Sequence, residues 1–155
     1  TVGSDEKIKI AKDNGYEHVI NYTKDDFAKK VLEITNNEGV AAVFDGVGKK
    51  TFKGSISCLK PRGTMVSFGN ASGSLDPVDV KKDIQSKSLY LTRPTIVHYF
   101  KNRKEFQDGA DAIFEKIKYG KVKINIFKEY KLIDAQKAHQ DLEARKLLGP
   151  AILIP

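Results

Sequence analysis

Val40-Ala41-Ala42-Val43-Phe44 runs directly into Asp45-Gly46-Val47-Gly48, and this stretch decides the fold class. The apolar run shows no alternation of period two. Strands buried on both faces read this way, and they are usually parallel. Toward the N-terminus, Phe27, Val31 and Ile34 recur at helical spacing, and Thr23 with Asp26 three positions on gives this second helix a capping-box opening. His18 to Tyr22 (HVINY) reads as a buried strand. Ser4 to Asn14 reads as a helix, with Ser4 as N-cap, Asp5 and Glu6 at the positive end of its dipole, and Gly15 as its stop. Toward the C-terminus, Phe52, Ile56 and Leu59 mark a third helix closed by Pro61 and Gly63. Thr64 to Phe68 is the next strand, ending at Gly69. A turn-rich loop covers Asn70 to Pro77, and Ser88 to Thr92 is a further strand halted by Pro94. Strands alternating with helices of this length predict a parallel α/β sheet with right-handed crossovers.

The remainder changes character. Asn102 to Tyr119 is a long amphipathic helix carrying Phe106, Ala110, Ile113, Phe114 and Ile117, with Gly120 as its stop. A strand over Val122 to Phe127, a helix from Asp134 to about Lys146 and a strand over Ala151 to Ile154 follow. That last strand need not share the first sheet.

A length of 155 residues suits one ordinary domain, and 40% apolar with 30% charged residues excludes collagen-like and wholly disordered chains. The apolar runs are too short to span a bilayer, and no secretory leader is visible. The single cysteine, Cys58, excludes an internal disulfide and a cysteine-based zinc site, and fits a reducing, cytoplasmic setting. His18, His98 and His139 have no metal-ligand spacing, so no metal is expected. A net charge of +7 suits an anionic ligand such as a phosphate, or nucleic acid. Scattered lysines without interleaved aromatic residues argue against the alternative of a non-catalytic, nucleic-acid-binding module.

Thr1-Val2-Gly3 reads as the end of a strand. A dinucleotide-binding fold opens with a strand, a glycine-rich turn and a helix N-terminus that holds the pyrophosphate. No G-x-G-x-x-G is present, and Gly46-Val47-Gly48 is more simply a turn.

Five segments, Val19–Tyr22, Val43–Gly48, Met65–Asn70, Ser88–Pro94 and Ala138–Arg145, together resemble the zinc-independent, zeta-crystallin-like NADPH:quinone oxidoreductases of the medium-chain dehydrogenase/reductase superfamily. The resemblance covers essentially the whole chain. It implies a Rossmann-like parallel sheet over residues 1–121 that lacks its first strand and glycine-rich turn. It further implies that residues 122–155 are a return segment of a GroES-like catalytic domain. On this view the central strand is missing, two neighbouring strands are left unpaired inside the sheet, and the chain alone is a weak cofactor binder and an incompetent catalyst.

The cofactor expected is NADP(H), and the acceptor a quinone or another small electrophile. No carboxylate follows Gly3 at the position that binds a ribose 2′-hydroxyl in NAD-preferring enzymes. Ser4 offers a hydroxyl and Lys7 a cation instead, and the resemblance places Lys7 and Tyr22 around a 2′-phosphate. A solvated lysine and a strand-end aromatic are the plain alternatives, and Asp5 and Glu6 add unhelpful negative charge. Gly46 and the segment Phe68, Gly69, Asn70 and Ala71 end consecutive strands, where ligands of open α/β sheets bind; ordinary glycine turns would look the same. By resemblance the second segment lies beside the nicotinamide, and Arg93, Pro94, Thr95 and Ile96 approach its carboxamide. The strand Ser88–Thr92 is then the edge that pairs in a homodimer; a plain edge strand with a proline stop is the alternative. Arg145 reaches the cofactor phosphates by resemblance, or serves a helix dipole. His139 is assigned a structural role, Cys58 a place in the core, and no catalytic residue is identified.

Overall fold

The computed structural model describes residues 1–144 and 146–155 and divides into two compact units, Thr1–Tyr99 and Phe100–Pro155. In the first, helix α1 (Asp5–Asp13) follows Thr1–Gly3 and stops before Gly15, whose φ of +87° suits glycine. Helix α2 (Phe27–Ile34) begins later than its capping-box pattern suggests. Asp26 is its N-cap and accepts from the amides of Ala28 and Lys29, while the Thr23 hydroxyl turns back to Asn21 Oδ1. Strand β1 (Val40–Asp45), helix α3 (Phe52–Ser57), strand β2 (Leu59–Ser67) and strand β3 (Tyr90–Thr92) complete this unit's main elements.

These strands form a three-stranded sheet in the order β1-β2-β3, parallel throughout. Leu59, Pro61 and Gly63 belong to β2 and not to the end of a helix. The register jumps from Val40↔Leu59 to Ala42↔Thr64, so Pro61, with no N–H to give a ladder, lies in the irregularity between them. A π-helical turn (Val80–Ile84) and a 3-10 turn (Gln85–Lys87) precede β3; Ser88 adopts φ +51°, so pairing starts only at Tyr90. The core gathers Phe52, Ile56, Leu59, Met65 and Leu89. Cys58 joins it at 2% exposure, and burial pushes its thiol up to about 11.

The sheet is interrupted on the side of β1. Val2 and Asn21 form an isolated parallel bridge, with Val2 N donating to Ile20 O (2.8 Å) and Tyr22 N donating to Val2 O (3.1 Å). His18–Tyr22 is therefore not a buried strand: pairing ends after one bridge because Gly3 and Ser4 leave to start α1, and within the segment Asn21 is buried while His18 is exposed. Among the described residues β1 pairs only with β2. The expectation that β1 is buried on both faces fails: Val43 packs against the core, but Ala41 and Ala42 are exposed and Phe44 is 73% exposed.

In the second unit, helix α5 (Arg103–Lys118) follows the short helix α4 (Ile96–Tyr99) that closes the first. Asn102 caps α5 by accepting from Glu105 N (2.9 Å). Val122–Phe127 forms no strand; strand β4 is Lys128–Lys131, which pairs in parallel with β5 (Ala151–Ile154) in a separate sheet. The physical reason lies at Asp141 on helix α6 (Ala135–Glu143). Its buried carboxylate accepts from Tyr130 Oη and Lys137 Nζ (2.8 Å each), which anchors the segment around Tyr130 and not the apolar residues before it. The hydrogen bonds from Lys137 and Tyr130 hold this carboxyl well below the usual carboxylate range. Helix α6 ends before Lys146, and Arg145 lies outside the described residues. No described helix is long and apolar enough to cross a membrane.

Candidate functional site

Two groups of the expected residues come together in the first unit. The first surrounds the start of α1. A Cβ on Gly3 would stand 2.8 Å from the Tyr22 hydroxyl, so the absence of a side chain at Gly3 lets the tyrosine tip reach the turn into the helix. Ser4 precedes α1 with extended backbone, yet its hydroxyl caps nothing. Ser4 Oγ is buried and unpartnered among the described side-chain atoms, and an unpaired buried hydroxyl is costly unless a ligand serves it. Lys7 stands one turn into α1 and makes no ion pair among the described residues.

Asp5, the awkward negative charge of this group, is already engaged. It pairs with Lys24 and accepts from Asn21 Nδ2 (2.7 Å). The Lys24 hydrogen bond, then that of Asn21, lowers its pKa from 3.8. Asn21 is 4% exposed and also accepts from Thr23 N and Oγ1, so one buried amide ties α1 to the Tyr22 segment. Sequence reasoning reads Asn21 only as part of the Val19–Tyr22 segment and misses its role in tying α1 to that segment, because a lone amide inside an apolar pattern gives no periodic signal.

The second group is a crest where β1 and β2 end. Asp45 closes β1 at 4% exposure. Its carboxylate accepts from Val47 N (2.8 Å), Gly48 N (2.9 Å), Thr51 Oγ1 (2.8 and 2.9 Å) and Ser55 Oγ (2.8 Å). Burial pushes the Asp45 carboxyl up, but the donors at Gly48, Ser55, Thr51 and Val47 outweigh it and hold the group below 3.8. Gly46-Val47-Gly48 is thus a turn wound around a carboxylate. Gly48 is left-handed (φ +88°) and would carry any Cβ to within 3.0 Å of Gly73 O.

The loop after β2 packs directly on this turn. The Phe68 ring lies against Gly46, and a Cβ on Gly69 would stand 2.4 Å from Gly46 O. Ala71 N donates to Gly46 O (3.2 Å), Ser72 N to Val47 O (2.7 Å) and Lys49 N to Gly73 O (3.3 Å). Gly46, Phe68, Gly69, Asn70 and Ala71 therefore form one surface, with Phe68 56% exposed at its top. Arg93 joins through Nη1, which donates to Ser67 O and Oγ (3.3 Å each). Pro94 follows as the chain leaves β3, Thr95 O accepts from His98 N (3.1 Å), and Ile96 opens α4 at 64% exposure. No contact brings Thr95 or Ile96 to Gly46, so the structure does not gather those two residues with the crest.

An open groove of about 230 Å³ is lined by Thr1 and by Phe44, Asp45, Gly46 and Val47, and so adjoins the β1 turn of the crest; Ser4, Lys7 and Tyr22 do not line it. Its floor includes Val31, Val43 and Cys58. Among the described residues no group of three or more His, Cys, Asp or Glu side chains is arranged as a metal site.

Comparison with known proteins fits this arrangement. The family model described as zinc-binding dehydrogenase matches residues 1–116. A 2-haloacrylate reductase from Burkholderia sp is 39% identical over 156 residues, covering 100% of this chain and 47% of the relative. A quinone oxidoreductase from Pseudomonas aeruginosa is 39% identical over 155 residues, covering 100% of this chain and 48% of the relative. Escherichia coli quinone oxidoreductase in complex with NADPH superposes with a TM-score of 0.94 at 39% identity, over 99% of this chain and 48% of that one. The chain spans about half the length of these relatives. With its sheet, its crest and a family match over three quarters of its length, the chain belongs to the zinc-binding dehydrogenase family, alongside the quinone oxidoreductases.

Proposed function

We propose that this chain is the nucleotide-holding portion of an NADPH-dependent oxidoreductase that reduces a quinone or a similar small, electron-poor acceptor. The observation that carries the reading is the unpartnered, buried Ser4 Oγ next to Gly3, against which Tyr22 packs, with Lys7 one turn on in α1. A 2′-phosphate needs hydroxyl donors and a cation, and this group offers Ser4, Tyr22 and Lys7, while Asp5 is neutralised by Lys24. The ligand's remaining length lies over the groove, with the nicotinamide half at the crest of Gly46 and Phe68–Ala71.

Bound NADPH supplies the hydride; the protein supplies position and electrostatics. Phe68 presents an exposed aromatic face, Asn70 an amide, and Gly46 and Gly69 allow the backbone to approach closely. Arg93, held at Ser67, stands at the β3 side of the same crest. Residues 1–121 belong, in this reading, to the nucleotide domain and 122–155 to the substrate domain of the whole enzyme, which is cytoplasmic. The exposed strand β3 offers the edge through which two copies pair.

Titration of the chain with NADPH and with NADH tests this, followed by changes in amide chemical shifts. NADPH binds more tightly than NADH by at least about tenfold, the weight of one charge-assisted phosphate contact. Lys7→Glu abolishes that preference, and Ser4→Ala narrows it. Equal affinity for the two nucleotides, or no perturbation at Ser4 and Tyr22, defeats the reading.

A further inference from the structure

Two side-chain contacts among the described residues span the two loops of the crest: the exposed Lys49–Asp76 ion pair (2.9 Å) and the half-buried hydroxyl of Ser72. Ser72 Oγ donates to Val47 O (2.7 Å) and accepts from Lys50 N (3.0 Å). The Ser72 amide donates to the same Val47 carbonyl (2.7 Å). Val47 is fixed from the other side, since its amide donates to Asp45 (2.8 Å). The peptide between Gly46 and Gly48 is thus clamped between the buried carboxylate of Asp45 and the half-buried hydroxyl of Ser72. Asp45 reaches inward to Thr51 and Ser55 on the α3 side, whereas Ser72 reaches across from the loop that also carries Phe68, Gly69 and Asn70.

We infer that Ser72 is a positioning residue that sets the spacing between the β1 turn and the β2 loop, and so presents the crest to the nicotinamide half of NADPH. The inference rests on the nucleotide reading above. Preorganised loops avoid the ordering cost that flexible ones incur on binding. Ser72 does this through Val47 and Lys50, with no contact to the ligand required. Its influence is therefore local to the nicotinamide end; the adenosine end is built by Ser4, Lys7 and Tyr22, held through Asn21.

The test compares two probes on the wild-type chain, Ser72→Ala and Ser72→Thr. The probes are NADPH and adenosine 2′,5′-bisphosphate, which carries only the adenosine end. Ser72→Ala weakens NADPH by about five- to tenfold, the scale of one lost neutral hydrogen bond. It leaves the bisphosphate within about twofold of wild type, and Ser72→Thr, which keeps the hydroxyl, restores NADPH binding. Hydrogen exchange at Lys50 N accelerates in the alanine variant and returns in the threonine variant. Unchanged NADPH affinity in Ser72→Ala, with the bisphosphate still bound, overturns the inference and leaves the nucleotide reading standing. Equal weakening of both probes also overturns it, since that reports general loosening. Failure of wild type to bind either probe removes the nucleotide reading and this inference with it.

Discussion

Replacing Gly69 with alanine tests the crest at its tightest point. A Cβ there would lie 2.4 Å from Gly46 O, 2.8 Å from Gly46 Cα and 2.9 Å from Gly46 C. Favourable carbon contacts sit at about 3.5–4.0 Å, so the two loops must part by roughly 1 Å. All three of these neighbours are backbone atoms, and no side chain can swing aside to relieve the clash. Parting strains the hydrogen bonds from Phe68 N (3.0 Å) and Gly69 N (3.3 Å) to Asp45 O and from Ala71 N to Gly46 O (3.2 Å). Overpacking of this kind costs about 1–3 kcal/mol, and each weakened hydrogen bond adds up to about 1 kcal/mol. A total of about 2–4 kcal/mol lowers the Tm of the first unit by about 10–20 °C. Calorimetry on Gly69→Ala reads this, with Gly120→Ala as control. Gly120 has φ +68° and nothing within 4 Å of a Cβ, so its replacement carries only the left-handed backbone penalty of about 1–2 kcal/mol. A Gly69→Ala chain as stable as wild type refutes the claim that the two loops are in backbone contact.

Two further outcomes follow from the titrating groups. Cys58 is 2% exposed and its thiol is pushed up to about 11 by burial, so a disulfide reagent at neutral pH labels the folded chain far more slowly than the chain in urea; equal rates contradict the core placement. Asp45 and Asp83 are held below 3.8 in the fold, Asp45 by donors that outweigh its burial and Asp83 chiefly by Lys53. A depressed folded pKa contributes stability that is complete above the unfolded value and lost as pH falls through the folded one. The urea midpoint is therefore flat from neutrality to about pH 5 and falls below about pH 4, less steeply in Asp45→Asn. A midpoint indifferent to acid down to about pH 2 contradicts those assignments.

Much of the fold was legible because it follows from apolar periodicity. β1 declares itself as an unbroken apolar run, Thr64–Ser67 as a short β-prone stretch ended by Gly69, and α5 through Asn102, its stripe and Gly120. What escaped was decided by partners and polar satisfaction. Val122–Phe127 alternates well enough to predict a strand, yet the polar segment Lys128–Lys131 takes that role because Asp141 captures Tyr130. Leu59 continues the helical spacing of Phe52 and Ile56, but pairing with Val40 pulls it into β2. The site residues expected from the sequence are those at strand ends and at the start of α1, positions that topology alone points to. Asn21, Asp45 and Ser72, which hold them in place, lack periodicity. Asp45 and Asn21 each accept from the amide two residues on, an Asx turn, but only at Asp45 do flanking glycines (Asp-Gly-Val-Gly) make the turn readable.

The two groups of residues are tied down by different numbers of contacts, and the interrupted sheet explains why. The crest is laced by backbone hydrogen bonds between adjacent loops and by Asp45, none of which depends on the open edge of β1. The adenosine-end group hangs on a single bridge, Val2 to Asn21, reinforced by the Asn21–Asp5 and Asp5–Lys24 contacts. On the proposed reading, those same contacts set the nucleotide choice. A free Asp5 carboxylate beside Ser4 would repel a 2′-phosphate and welcome a ribose hydroxyl. Engaged by Lys24 and Asn21, it leaves Ser4, Tyr22 and Lys7 as the groups proposed to meet the ligand. Removing the Lys24 cation, without touching any residue that faces the nucleotide, therefore moves the preference from NADPH toward NADH.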